Sequence, residues 1–568
     1  MKFDEVRDHD VAHGEHISSL LDRLARHRPP PWEGDFRQTI ASGVAFITFA
    51  FDIDGVSMEV AKYAQTFEAI VPGIPVHCIA GNFGDKADAV VDPRWKRHVL
   101  MGADGWDKWA GGKWFHELFY EDLPADSEQS TALATEMWTQ AVALAEQLIA
   151  YIDEHAIRLL FTVNTNSNPG NVAFGLALVL AAGSTGVVVV NNNHDFYWEG
   201  GKAGCKRNPG EEPGPRDHFF RNHDNEEFFA FFQRIYPWNG RRWAQVNINT
   251  LQSRRLIDRF HFHPENVFTI GTGLDQAFFR ENSTDVRHRS RRALSHVLGG
   301  GPVISTTSVD RFVDDIPTWM ADQRPVVCGA EEGQTLDITS DDAIVLLQPT
   351  RIVARKRIWK DWELIRALVR HPPFEAALRQ RPEMTVTLQI TGPVPIEHQD
   401  DLERVVAAYR ATLDALPPDL ARRVFLSLSA GWQSHPTLAD DIDIVDIYQL
   451  ADLVLFPSLT EGRGLPIVEA SAAGVPIMCS RYEPDAVFAE VVGEHLDPID
   501  RVEYELFPAS TPSSDLLDRV TRLLLDAATR AERAAHNRAA VEHRYSLVAL
   551  QESFEAILDR LETTVKGH

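Results

Sequence analysis

The stretch LADLVLFPSLTEGRGLPIVEASAAGVPIMCS, residues 450–480, contains two apolar runs joined by a glycine loop and a helical segment. The runs 450–458 and 475–482 predict β-strands. Pro466 suits the first turn of a helix, where its missing N–H costs nothing, so we expect a helix to begin near residue 465. The stretch therefore predicts a strand, loop, helix, turn and strand, which is the repeating unit of an α/β fold.

The same alternation extends over most of the chain in two series. The predicted strands of the first series are 43–51, 75–83, 157–163, 187–195, 243–249 and 266–275. Those of the second series are 343–352, 384–392, 423–429, 450–458 and 475–482. Continuous apolar strands are typical of parallel sheets that are buried on both faces. Two such series predict two Rossmann-like, doubly wound domains that face each other across a ligand-binding cleft.

Changes in composition set the expected domain limits. Residues 297–341 are rich in Gly, Asp, Thr and Ser, as a linker or insertion would be. Leu550, Phe554, Ile557 and Leu561 have helical spacing and predict an amphipathic helix that returns to the first domain. The predicted parts are an N-terminal domain (1–285), a linker or insertion (286–342), a C-terminal domain (343–545) and a terminal helix (546–568).

Composition limits the partners that the protein can have. The chain has 568 residues, is 44% hydrophobic and carries a net charge of −26, which repels phosphate backbones and anionic lipids. Its four cysteines form no CxxC pair, and the apolar stretch 172–190 is interrupted by glycine. We therefore expect a cytoplasmic protein without nucleic-acid or membrane partners. The stretch 172–190 is interpreted as a buried helix, a turn and a buried strand.

Two glutamates flank the predicted helix start. Glu461 lies in the loop and Glu469 about one turn inside the helix. Gly462 and Gly464 allow close approach of a ligand, and free N–H groups at a helix start favour an anion such as phosphate. Carboxylates beside an anion site are suited to sugar or ribose hydroxyls. Considered singly, each glutamate is also explained as a solvated charge or a favourable charge in a first helical turn.

This stretch resembles the Glu-x7-Glu signature of the retaining glycosyltransferases of family 4. Its elements P-S-x-x-E-G-x-G-L-P-x-x-E-A-x-A-x-G-x-P all stand at residues 457–476, and Arg463 replaces the usual aromatic residue. The resemblance implies that Glu469 holds the ribose and Glu461 the donor sugar, with backbone N–H groups from Gly462 to Leu465 on the diphosphate. Arg463 either contacts the diphosphate or an acidic acceptor, or points to solvent.

Further segments resemble the family at the expected places. QPTRIVARKRI (348–358) is similar to its Arg-x4-Lys element, which implies that Arg351 and Lys356 stabilise the departing diphosphate. VNNNHDFYWEGG (190–201) implies that His194 contacts the transferred sugar, with Asp195 beside it. FDIDGVS (51–57) occupies the position of the first glycine loop, with only Gly55 matching.

The resemblance implies a GT-B fold and a metal-independent transfer of a hexose from a UDP-, GDP- or ADP-sugar to a small soluble acceptor. A sugar, a sugar phosphate or a hydroxy acid is the expected acceptor, and no cofactor is required. A phosphorylase or sugar-nucleotide epimerase of the same fold and a non-catalytic sugar-nucleotide-binding protein are the alternatives. A glycoside hydrolase leaves the phosphate cradle unexplained, and a dinucleotide oxidoreductase needs the G-x-G-x-x-G that DIDGVS lacks.

Two other segments have open roles. Lys202 lies in a glycine-rich loop and is interpreted either as an acceptor-binding cation or as a solvated one. The irregular stretch 92–128 carries Trp95, Trp106, Trp109 and Trp114. These tryptophans line an acceptor pocket, form a subunit contact in a homo-oligomer, or pack onto their own domain.

Overall fold

The computed structural model describes residues 3–7, 14–106, 108–109, 117, 121, 123–124, 127–199, 225, 232–430, 432 and 442–566. The chain forms two compact units. The first consists of residues 1–273 and 547–568, and the second is the continuous segment 274–546. No helix in the described part of the chain combines the length and apolarity needed to cross a membrane.

The first unit is built on a parallel sheet of seven strands in the order β5-β3-β1-β6-β7-β8-β9. Its strands are β1 (Val44–Ile47), β2 (Ala50–Phe51), β3 (Val76–Ala80), β4 (Asn82–Phe83), β5 (Lys96–Val99), β6 (Leu159–Val163), β7 (Val188–Asn193), β8 (Trp243–Asn247) and β9 (Val267–Thr269). Its helices before residue 274 are α1 (Phe3–Arg7), α2 (Gly14–Arg26), α3 (Phe36–Ile40), α4 (Gly55–Ile70), α5 (Glu128–Glu154), α6 (Val172–Thr185), α7 (Phe232–Ile235) and α8 (Thr250–Asp258). Strands β2 and β4 form a separate parallel pair.

The apolar stretch 172–190 folds as the sequence predicts. Helix α6 is buried over Val172–Ala182, and β7 follows it after a short turn. Gly186 ends the helix with a φ of +69°, in the left-handed region where a side chain would be strained. The helix and the strand are thus two buried elements of the first unit.

The second unit is built on an eight-stranded sheet in the order β11-β12-β16-β15-β14-β17-β18-β19, parallel except between β12 and β16. Its strands are β10 (Ile304–Ser305), β11 (Thr307–Ser308), β12 (Val326–Gly329), β13 (Thr335–Leu336), β14 (Ala343–Gln348), β15 (Thr385–Ile390), β16 (Val424–Leu428), β17 (Leu453–Phe456), β18 (Ile477–Cys479) and β19 (Glu505–Leu506). Its helices are α9 (Thr284–Gly299), α10 (Val309–Asp322), α11 (Trp359–Val369), α12 (Pro372–Gln380), α13 (Gln399–Asp414), α14 (Pro418–Ala421), α15 (Ile444–Gln449), α16 (Leu465–Ala472), α17 (Asp485–Val492), α18 (Ser514–Leu525) and α19 (Ala527–Tyr545).

The segment 286–342, which composition predicts to be a linker or an insertion, forms regular elements of the second unit. It contributes α10 and two strands of the eight-stranded sheet to the second unit, which begins at Leu274 rather than after residue 342. Its Gly and Ser residues have local tasks: Gly300 ends α9 with a φ of +74°, and the Ser308 side chain caps the start of α10. Composition suggested a linker because caps and turns use the same residues as linkers do.

The last helix, α20 (Leu547–Val565), belongs to the first unit. Phe554 is fully buried among three aromatic rings of this unit, those of Tyr63, Phe67 and Phe161, at centroid distances of 5.3, 4.9 and 5.6 Å. The helix completes the core on one face of the seven-stranded sheet.

The described tryptophans of the stretch 92–128 pack within the first unit. Trp95 and Trp109 are buried, and the Trp109 indole donates to Gln140 Oε1 at 3.0 Å. Trp106 lies partly buried against the same core as Trp109. Trp114 lies outside the described residues.

Candidate functional site

Three loops of the second unit meet at one edge of its sheet. Strands β14, β17 and β18 are adjacent and parallel, so the segments that follow Gln348, Phe456 and Cys479 leave the sheet at the same edge. They are also joined by backbone hydrogen bonds: Leu459 donates to Arg355 O at 2.8 Å, and Glu461 to Glu483 O at 2.9 Å. This edge is where α/β folds place their ligand sites.

Gly464 fixes the start of α16. It has a φ of +67°, and a Cβ atom there would lie 2.1 Å from Tyr482 Oη. Pro466 follows in the first turn, as predicted from the sequence. Glycine is therefore required at position 464 both by the backbone conformation and by the tyrosine packed against it.

Glu461 is a buried carboxylate with two cationic partners. Its side chain is 9% exposed and accepts a hydrogen bond from Lys356 Nζ, which is equally buried. Arg355 Nη1 lies 3.3 Å from Glu461 Oε2 and donates to Thr460 O at 2.8 Å. The loop after β14 thus holds the glutamate loop through side chains.

Burial is the main influence on Lys356. It lowers the pKa of the ammonium group, and the neighbouring Arg355 and Arg351 lower it further, while Glu461 opposes the shift. The Nζ atom also lies 5.2 Å from the centroid of the Phe456 ring. Lys356 is therefore almost completely shielded from water, so its charge acts strongly on Glu461.

Two arginines were not predicted as site residues, although they flank Lys356 in the sequence. Arg355 contacts Glu461 directly. Arg357 donates to the backbone oxygens of Pro457 and Ser458 at 2.8 and 3.2 Å. The sequence contains the basic cluster, but only the folded loop shows which of its members contact the glutamate loop.

Glu469 has a partner that the sequence did not indicate. Tyr448, in α15, donates to Glu469 Oε2 at 2.6 Å. The pKa of this tyrosine is raised by burial and by the neighbouring carboxylate. Tyr448 thereby fixes the orientation of a half-buried glutamate, and only the folded structure brings these residues of neighbouring helices together.

The segment before Arg351 is held by a buried polar chain. Gln348 Oε1 accepts from Thr350 Oγ1 at 2.8 Å, and Gln348 Nε2 donates to Asp361 Oδ2 at 3.0 Å. Burial raises the pKa of Asp361 well above its ordinary range. Arg351 itself is exposed and forms no side-chain hydrogen bond or ion pair with the residues that the structure describes. It is thus presented to solvent on a rigid turn.

Arg463 does not extend freely into solvent. Its side chain is half-buried, and its Nε and Nη2 atoms are fully covered. Its charge acts on the buried Tyr545, whose pKa is raised by burial. The diphosphate, acidic-acceptor and solvent-directed alternatives for Arg463 all stay predictions.

His194 and Asp195 follow β7 in the first unit and are half-buried. The His194 carbonyl accepts from Gln252 Nε2 at 3.1 Å, and the Asp195 N–H donates to Asn164 Oδ1 at 3.1 Å. Their backbone is therefore fixed by two side-chain amides.

The asparagine run before His194 has a structural task. Asn191 and Asn193 are completely buried. Asn191 Nδ2 donates to Asn193 Oδ1 and to Gln245 Oε1, both at 2.9 Å. Asn191, Asn193 and Gln245 thus satisfy one another inside the sheet. The buried amide of Asn192 differs, because neither of its side-chain atoms has a hydrogen-bond partner among the residues that the structure describes.

Gly55 begins α4 in open surroundings, where a Cβ atom would meet nothing within 4 Å. The Asp54 carboxylate accepts from the N–H groups of Val56 and Ser57 at 2.7 and 2.9 Å. Because a carboxylate already occupies this helix start, it is poorly suited to phosphate.

Lys202 lies outside the described residues. Within the described ranges, no group of three or more side chains is arranged as a metal site.

Sequence comparisons point to the same part of the chain. Residues 374–526 match the family model described as Glycosyl transferases group 1. The O-antigen chain mannosyltransferase B of Escherichia coli is 30% identical over 121 residues, which are 21% of this chain and 30% of that protein. The chain thus aligns with less than a third of that relative's length.

Solved structures extend the likeness to both units. A glycosyltransferase from Rickettsia africae ESF-5 aligns with 91% of this chain and 98% of its own, at a TM-score of 0.50 and 12% identity. The N-terminal domain of trehalose-6-phosphate phosphatase from Candida albicans aligns with 94% of this chain and 100% of its own, at the same TM-score and identity. The chain therefore has the GT-B fold, as the sequence predicted, and its second unit carries a segment similar to the glycosyl transferases of group 1.

Proposed function

We propose that the protein is a retaining, metal-independent glycosyltransferase that moves a hexose from a UDP-, GDP- or ADP-sugar to a hydroxyl group of a small acceptor. The observation that supports this most is the buried Glu461, held by Lys356 and Arg355 beside the glycine-bounded start of α16. Carboxylates for hydroxyl groups and cations for a diphosphate stand together there. The segment that matches the group 1 family includes both glutamates.

The resemblance to the glycosyltransferases of family 4 supports the proposed donor roles. Glu461 holds a hydroxyl of the donor sugar, and Glu469, oriented by Tyr448, holds the ribose. Exposed Arg351, half-buried Arg355 and the backbone from Gly462 to Leu465 hold the diphosphate. Lys356 holds Glu461 in place through their ion pair, and its charge also favours the departing anion.

In the proposed step, the bond between the anomeric carbon and the diphosphate oxygen breaks, and its electron pair leaves with the nucleoside diphosphate. The acceptor hydroxyl attacks the same face of the oxocarbenium-like sugar, and its proton passes to the departing phosphate oxygen. The cations stabilise the charge that develops on the leaving group. His194 and Asp195 of the first unit are proposed to contact the sugar and the acceptor.

The decisive experiment incubates the full chain with UDP-, GDP- and ADP-hexoses and a panel of sugars, sugar phosphates and hydroxy acids, with EDTA present. We expect one donor to yield nucleoside diphosphate and a glycoside with the donor's anomeric configuration, measured by NMR. Glu461→Gln should abolish turnover, whereas Glu403→Gln, at an exposed helix position, should not.

Other products would identify the alternatives. Saturable nucleotide-sugar binding without turnover indicates a binding protein. A sugar 1-phosphate formed with inorganic phosphate indicates a phosphorylase, and an altered sugar on the same nucleotide indicates an epimerase. Inversion of the anomeric configuration would overturn the retaining mechanism.

A further inference from the structure

A charged cavity lies at the edge of the second unit's sheet where β14 begins, opposite the edge that carries the candidate site. Its volume is about 260 Å³, and its walls come from α9, the start of β14 and the junction of α18 with α19. The residues with ionisable side chains that line it are Arg287, His288, Arg291, Asp341, Asp342, Arg381, Asp452 and Arg530. It is separate from the edge that carries Lys356 and Glu461, because β14 runs from one edge to the other.

Three guanidinium groups in the buried part of this cavity share one carboxylate, that of Asp452. Arg291 Nη2 lies 2.7 Å from Asp452 Oδ2, and Arg287 Nη1 lies 3.3 Å from Asp452 Oδ1. Arg530 Nη2 is 3.9 Å from the same Oδ1 atom. Cations therefore outnumber carboxylates in a region where Arg291 and Asp452 are almost fully buried.

The other carboxylates do not correct this imbalance. Asp341 is 87% exposed and lies 3.0 Å from His288 Nε2. Asp342 stands 3.6 Å from Arg381, where both side chains are more than a third exposed. Exposed carboxylates are screened by water and compensate buried cations weakly.

The guanidinium groups also differ in how well they are satisfied. Arg291 donates to the backbone carbonyls of Leu450 and Ala343 at 2.9 and 3.0 Å. Arg287 Nε is buried and has no hydrogen-bond partner among the residues that the structure describes. Burial lowers the pKa of Arg287, and the charges of Arg530 and Arg291 lower it further, although Asp452 opposes them. A buried donor and an excess of positive charge are both costly unless an anion is bound.

We propose that this cavity binds a small phosphate-bearing anion, either inorganic phosphate or a small phosphate monoester, between Arg287 and Arg530. Planar guanidinium forks match phosphate oxygens, and the anion would supply the missing charge. The volume is just below the usual range for pockets that take drug-sized ligands, which favours a small molecule. The proposal does not depend on the proposed transferase activity.

The test is calorimetric titration of the full chain with inorganic phosphate and, separately, glycerol phosphate, with chloride keeping the ionic strength constant. Arg287→Gln and Arg530→Gln should each weaken binding about tenfold or more, since each removes a charge-assisted contact. Arg292→Gln, on the exposed side of the same helix as Arg287, is the matched control and should leave the dissociation constant unchanged. Tighter binding of glycerol phosphate would identify a monoester site, and equal binding an inorganic phosphate site.

Phosphate bound at the other edge of the sheet must be distinguished from this site. Arg351→Gln should leave the calorimetric signal intact if the cavity is the site. Loss of phosphate binding in Arg351→Gln would overturn the proposal. So would phosphate binding that persists in both Arg287→Gln and Arg530→Gln. Should neither cavity variant fold, hydrogen exchange of the wild type decides: phosphate should slow exchange around residues 523–530, and unchanged exchange there contradicts the proposal.

Discussion

At the scale of single residues, the Lys356–Glu461 pair dominates the candidate site. Both side chains are 9% exposed, so neither charge is effectively solvated. Breaking a buried pair on one side leaves a charge without compensation, which costs more than the pair itself contributes. The residues proposed for donor binding are thus also stability determinants of the second unit.

Replacing Glu461 with Ala should destabilise the second unit by about 3 kcal/mol, because Lys356 would remain buried without its anion. Urea unfolding followed by fluorescence measures this loss. Glu403→Ala, at an exposed position on α13, should change the unfolding free energy by less than about 0.5 kcal/mol. Equal effects of the two substitutions would show that the pair contributes nothing specific.

The pH dependence of turnover should report Lys356. The protonated lysine is the form that pairs with Glu461, and its pKa lies below that of an exposed lysine because of burial. As the pH rises, the free enzyme therefore loses this proton earlier than usual, and kcat/KM should fall on the alkaline side.

Lys356→Arg should move this alkaline limb to higher pH, since arginine keeps its charge. Lys360→Arg, four residues further along the chain, is the control and should leave the profile unchanged. If kcat/KM of the wild type does not fall at pH values below the pKa range of ordinary lysines, the assignment of the alkaline limb to Lys356 is contradicted.

At the scale of elements, the start of α16 depends on a glycine with two constraints. Gly464→Ala would place a methyl group 2.1 Å from Tyr482 Oη, in a backbone region that already disfavours side chains. Gly300, at the end of α9, has a similar φ of +74° but nothing within 4 Å of a built Cβ atom. Comparing alanine variants at these two positions therefore separates the effect of backbone strain from that of steric overlap.

Gly300→Ala should lower the free energy of unfolding by about 1 kcal/mol, from backbone strain alone. Gly464→Ala should cost at least about 2 kcal/mol, since overlap with Tyr482 is added to the same strain. Thermal unfolding of both variants measures the difference. Nucleotide affinity should fall in Gly464→Ala and stay unchanged in Gly300→Ala. Equal losses of unfolding free energy in the two variants would show that Tyr482 moves away freely.

At the scale of the whole molecule, the first unit depends on a helix that follows the entire second unit in sequence. Phe554→Ala should destabilise the first unit by about 3–5 kcal/mol, because it empties a fully buried aromatic site. Val548→Ala, at an exposed position of α20, should have little effect. Hydrogen exchange resolves the two units, and faster exchange confined to the first is the expected result. Uniform acceleration in both units would contradict it.

The sequence predicted the features that depend on local pattern. Strand runs, the glycine-bounded start of α16 and the GT-B fold all follow from periodicity, turn residues and family resemblance. The roles assigned to the glutamates of the Glu-x7-Glu motif stay predictions.

Features that depend on contacts through space were missed. Arg355 and Arg357 surround Lys356 in the sequence, but only the folded loop shows which of them reaches Glu461. Tyr448 reaches Glu469 from another helix, and no pattern in its segment announces that contact. In segment 286–342, glycine and serine residues cap helices, and composition alone does not distinguish such caps from a linker.

The return of α20 to the first unit also sets an order of assembly during synthesis. The second unit is one continuous segment that can fold as soon as residue 546 has left the ribosome. The core around Tyr63 and Phe161 must wait until Phe554 has emerged. The N-terminal half of this chain is therefore synthesised first, but its core is completed only after the last helix has been made.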